Sequence, residues 1–87
     1  MTPIYIHACG FSFGWFSNEN GEPPHVHVFR GSNRTTSAKF WLNDSGIILA
    51  HNEARFDSKE LRQMSEIINS NRYRLISRWH TFFGRDM

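Results

Sequence analysis

Apolar and polar positions alternate with a period of two through the first half of the chain. Ile4, Ile6 and Ala8 alternate with Tyr5, His7 and Cys9; after Gly10, Phe11, Phe13 and Trp15 alternate with Ser12 and Gly14. Such a period marks strands with one covered face, and it predicts strands over residues 3–9 and 11–17. The polar cluster Ser17-Asn-Glu-Asn-Gly21 closes the second strand as a turn. Pro23 and Pro24 have no N–H to give to a ladder, so they form an extended lead-in to a third strand over residues 25–30. After a polar loop at 31–37, Ala38-Lys-Phe-Trp-Leu42 resumes the alternation, and residues 37–43 and 46–51 are expected to pair as a hairpin.

The period then changes. Asp57 or Ser58 can cap a helix that carries Glu60 near its positive end, and Leu61, Met64 and Ile68 recur at helical spacing. Asn69-Ser-Asn71 is weak helix material and predicts a kink or a restart. Beyond it Leu75, Trp79 and Phe82 continue the stripe, Ile76 and Phe83 widen it, and Gly84 is a natural stop. The expected fold is α+β in a single domain, 1–87: an antiparallel sheet of four to five short strands (residues 3–51) packed on one kinked helix or two consecutive helices (residues 58–83). Trp41, Trp79, Phe82 and Leu61 are expected to be buried between sheet and helix.

Size and composition narrow the picture. A chain of 87 residues has room for one core, and with 15% aromatic residues bulky rings must supply much of its buried area. Multi-step chemistry with a large cofactor does not fit. The single cysteine, Cys9, cannot form an internal disulfide and is read as a buried structural thiol. No apolar run approaches the roughly 18 residues that span a bilayer, and the opening Met1-Thr-Pro-Ile-Tyr-Ile6 has no basic region followed by an apolar core. A cytoplasmic location is the expectation. The net charge is +2: Arg30, Arg34 and Lys39 cancel Glu19, Glu22 and Asp44, so the excess lies in residues 51–87. That excess suits an anionic partner and a plain solvated helix equally.

Candidate chemistry centres on Gly21-Glu-Pro-Pro-His-Val-His-Val28. In a strand His25 and His27 share one face while Val26 and Val28 share the other. Two imidazoles so placed can act as acid and base around a phosphodiester, or ligate a divalent metal such as zinc if a third group approaches. Glu22, His7, His51 and His80 are the candidates for that third group. His80 stands out because it follows Trp79 in the last helix and so lies at the border of the buried stripe. The plainer alternative is two half-exposed histidines beside a turn. Phe29 continues the histidine face, and with Arg30, Arg34 and Lys39 it makes a surface suited to stacking and phosphate pairing with single-stranded RNA. Arg74 and Arg78 share a helix face, while Arg72 lies elsewhere, which reads as solvation. No glycine-rich phosphate loop, paired-cysteine motif or His-Glu-x-x-His helix is present.

Phe11-Ser-Phe-Gly-Trp-Phe-Ser-Asn-Glu19, Pro23-Pro-His-Val-His-Val28, Ala38-Lys-Phe-Trp-Leu42, Ser58-Lys-Glu-Leu-Arg62 and Trp79-His-Thr-Phe-Phe-Gly84 together resemble the domain-of-unknown-function 4160 family of small bacterial proteins. The resemblance runs nearly end to end; the loop at 31–37 departs from it, being longer and rich in Thr and Ser. It implies a compact α+β protein, often encoded beside a second small protein, in pairs commonly proposed to be toxin-antitoxin modules. The resemblance carries no catalytic residues with it, and the residue chemistry above gives two expectations. One is a toxin-like enzyme acting on RNA, with His25, His27 and His80 catalytic, or with His25 and His27 metal-binding, and with Phe29, Arg30, Arg34 and Lys39 holding the nucleic acid. The other is a non-enzymatic interaction module, whether antitoxin-like, regulatory or a mobile-element inhibitor of host defence, that docks a small protein partner encoded nearby. In either case the histidine pair is expected to be needed for activity more than for folding.

Overall fold

A computed structural model describes residues 4–16 and 21–84. Of the turn expected at 17–21, residues 17–20 lie outside the described residues. Five strands, β1 (Ile4–Ala8), β2 (Phe11–Gly14), β3 (His25–Arg30), β4 (Ala38–Asn43) and β5 (Gly46–Asn52), precede α1 (Ser58–Ser70) and α2 (Arg72–Phe82). The sheet is an antiparallel meander in the order β1-β2-β3-β4-β5, so β3 is central and β1 and β5 are its edges. No helix among the described residues is long and apolar enough to cross a membrane.

Local chemistry accounts for the boundaries. Cys9 and Gly10 both take positive φ, 54° and 80°, as a two-residue hairpin turn between Ala8 and Phe11 requires. That turn lifts Cys9 out of the strand; the thiol is exposed, not the buried structural group expected from its apolar neighbours. Asp57 caps α1 by accepting the Glu60 N–H at 2.8 Å, while the Glu60 carboxylate accepts the Asp57 N–H at 3.0 Å. Asn71 separates the two helices: its side chain donates to the Ile67 carbonyl at 2.8 Å and its backbone N–H to that of Ile68 at 3.0 Å. Gly84, with φ 69°, ends α2 by donating to the Thr81 carbonyl.

One face of the sheet carries Phe11, Phe13, Trp15, Val26, Val28, Ala38, Phe40 and Leu42, and it buries them against Phe56, Met64, Ile68, Leu75 and Trp79. Each fully buried large apolar side chain contributes about 1.5 to 3 kcal/mol. Two of the expected core residues lie elsewhere. The alternation that turns Phe40 and Leu42 toward the helices sends Trp41 to the opposite face, where it is only partly buried. Phe82, near the end of α2, touches Trp15 and Phe83 but stays 40% exposed. Leu61 packs at the margin of the core, also partly buried.

A bidentate ion pair joins sheet to helix. Arg30 donates to both Glu60 oxygens, at 2.6 and 3.3 Å, and lies over the Phe56 ring. The hydrogen bond from Arg30, reinforced by the Asp57 N–H, holds the Glu60 carboxyl below the usual carboxylate range. A depressed carboxylate stabilises the fold above its unfolded value of about 4.3 and loses that contribution as pH falls through the lower folded value. Melting temperatures of wild type and Glu60→Gln should therefore differ near neutral pH and converge in acid. A difference independent of pH would mean that the pair contributes nothing through charge.

Candidate functional site

The face opposite the helices bears the histidines. Cross-strand register sets Gly14 and Lys39 beside His27, and Trp41 beside His25. Phe29 stands across from Ser12, while Ile48 stands across from Trp41. Val26 and Val28 point to the core as their parity requires.

The histidines are interior. His25 is 0% exposed and His27 6%. His25 packs against Trp79 at 4.6 Å, His27 at 5.2 Å and Trp41 at 5.5 Å between ring centroids. Trp79 reaches it where β2 has stopped pairing, since the β2–β3 ladder ends at Gly14 opposite His27. The ring of Phe16 folds over the same face, 4.9 Å from His27 and 5.9 Å from Phe29. The plainer alternative, a half-exposed pair beside a turn, therefore does not describe them: the pair is packed. A carbonyl can only accept, so the 3.0 Å contact between His25 Nδ1 and Pro23 O fixes the proton on Nδ1. His27 Nδ1 meets the Ser37 hydroxyl at 2.9 Å.

The other expected groups separate. Phe29 is completely buried, with Arg34 stacked over it at 4.9 Å, so its ring is not a platform for a base. Lys39 donates to Glu22 at 2.5 Å and lies over Trp41. Arg30 leaves the histidine face altogether and pairs with Glu60 on the helix side. His80 is partly buried and makes no ring contact with His25 or His27 among the described residues. His51 lies 6.2 Å from His27, and Glu22 Oε1 lies 3.9 Å from His25 Nδ1. Among the described residues no group of three His, Cys, Asp or Glu side chains is placed to hold a metal ion, so the zinc reading of His25 and His27 has no third ligand there.

Two features escaped the sequence reading. Ser37 is the buried partner of His27, a role no spacing signals. The second is β5, whose Ile48 and Leu49 are 56% and 42% exposed. Four consecutive apolar residues, Ile47 to Ala50, on an edge strand are a signal that was available.

Fold and site together define a small α+β protein: a meander covered on one face by two helices, with a histidine-bearing central strand packed by rings on the other. The chain belongs to the family described as Domain of unknown function (DUF4160), whose model matches residues 10–80. No curated protein and no solved structure matches it.

Proposed function

We propose that this chain is a non-enzymatic interaction module that receives an extended segment of a small partner protein along β5. The exposed apolar run of that edge strand carries the reading. Proteins protect an edge with charge, proline or a bulge; β5 has no charged residue or proline from Gly46 to Asn52, only a register step at Ala50. Ile48 and its cross-strand neighbour Trp41 extend the apolar surface inward from the edge. An edge ladder with side-chain anchors beside it is the geometry of strand addition. Cleavage of RNA by His25 and His27 asks for rings open to a phosphodiester, and burial weighs against it.

The partner to test is the second small protein that the family resemblance leads us to expect beside this chain. Co-expressed with it, the wild-type chain should co-purify as a stoichiometric complex. Ile48→Glu should weaken that complex about tenfold or more while changing the chain's own stability by less than about 1 kcal/mol. Absence of a complex, or a complex indifferent to Ile48→Glu and Leu49→Glu, would contradict the reading.

A further inference from the structure

A second site lies between the Cys9-Gly10 and Gly31-Ser32 turns. There His7, Gly10, Phe11, Ser12, Gly31, Ser32 and Arg34 line a cavity of about 310 Å³. Its floor is tied together at one peptide: the Gly31 N–H donates to the Gly10 carbonyl at 2.9 Å, and the Gly31 carbonyl accepts from the Ser12 hydroxyl at 2.7 Å and from Arg34 Nη1 at 2.8 Å. A hydroxyl has one proton, and Ser12 has given it to Gly31. The 3.2 Å contact between Ser12 Oγ and His7 Nδ1 is therefore donated by the ring. The His7 proton sits on Nδ1, and Nε2 is the atom left for a ligand.

The lining holds an imidazole and a guanidinium but no carboxylate. Arg30 has Glu60 and Lys39 has Glu22, whereas Arg34 has no acidic partner among the described residues and spends one donor on a carbonyl. Stacking on the buried Phe29 ring holds the guanidinium plane in place.

We propose that this cavity binds a phosphate monoester. The remaining Arg34 N–H groups donate to two phosphate oxygens, and His7 Nε2 pairs with a third, taking the proton of the monoanion or already carrying one. Ser12 is a positioning residue: it fixes the imidazole tautomer and, with its proton committed to Gly31, is not a nucleophile. The site is built from other strands than β5 and stands independently of the docking reading.

The test is NMR titration of the full chain with inorganic phosphate, a nucleoside 5′-monophosphate, and a short RNA with and without a 5′-phosphate. The amides of His7, Ser12, Gly31 and Arg34 should shift in a saturable way. Arg34→Gln should weaken binding about tenfold and His7→Gln by a smaller factor, with both variants still folding cooperatively, while Arg74→Gln should leave binding intact. Tighter binding of the phosphorylated RNA than of its unphosphorylated counterpart would assign the phosphate to a nucleic-acid end; equal binding of nucleotide and inorganic phosphate would assign it to the free ion. Either result supports the site. No saturable shift at millimolar phosphate, or binding unchanged in Arg34→Gln, overturns it.

Discussion

Trp79→Ala should destabilise the fold by about 3 to 5 kcal/mol, close to the whole margin of about 5 kcal/mol at the low end for natural domains. Trp79 is fully buried and is the ring where both sides of the sheet meet. It touches Trp15 at 5.2 Å on the helix side, Phe83 at 4.5 Å along its own helix and His25 at 4.6 Å. Its indole N–H has no hydrogen-bond acceptor among the described residues, so the loss is one of packing and cavity alone. Trp79→Phe should accordingly be much milder, because it keeps a ring and removes an unsatisfied donor. Thermal or urea unfolding distinguishes the two variants. A cooperatively folded Trp79→Ala protein near wild-type stability would contradict the packing described.

The second large effect concerns His25. Its sequence pattern points to a catalytic or metal-binding group that folding could spare, but its surroundings make it part of the structure. His25→Ala removes a fully buried ring from contact with Trp41, His27 and Trp79 and leaves the Pro23 carbonyl without its donor. The expected cost is about 2 to 4 kcal/mol, a cavity contribution plus one lost hydrogen bond. His51→Ala, at a partly exposed position on β5, should cost well under half as much. Equal, small effects for both would contradict this packing and restore the expectation that His25 is needed for activity more than for folding.

These two side chains also show where the sequence was informative. Strand parity placed His25 opposite Val26 correctly, and the Asp57 to Glu60 spacing and Asn71 marked the start of α1 and the break before α2. Those are local signals, written within a few residues. Burial of His25 depends on Trp79, and burial of His27 and Phe29 on Phe16 and Arg34. The Trp79 and Phe16 contacts arise beyond the point where β2 stops pairing and the Arg34 contact comes from the loop after β3, and no periodicity encodes them. The strand expected over 11–17 is shorter for the same reason: the alternation through Trp15 continues after pairing has ended at Gly14. The phosphate cavity was equally hidden, since Ser12 and Gly31 meet across 19 residues of chain. Charge misled in a different way. Arg30, Arg34 and Lys39 look alike in sequence, but only the fold shows that two of them are neutralised by Glu60 and Glu22.

The central claim is that β5 and the neighbouring Trp41 form the working surface, while the histidines behind them are interior. The most direct measurement is an amide and indole NMR map of this chain, recorded alone and with the proposed small partner protein. The account predicts that residues 46–51 and the Trp41 indole shift or broaden and that the β5 amides gain protection from exchange. Perturbation confined to the outer faces of α1 and α2, or none at saturating partner, would contradict it.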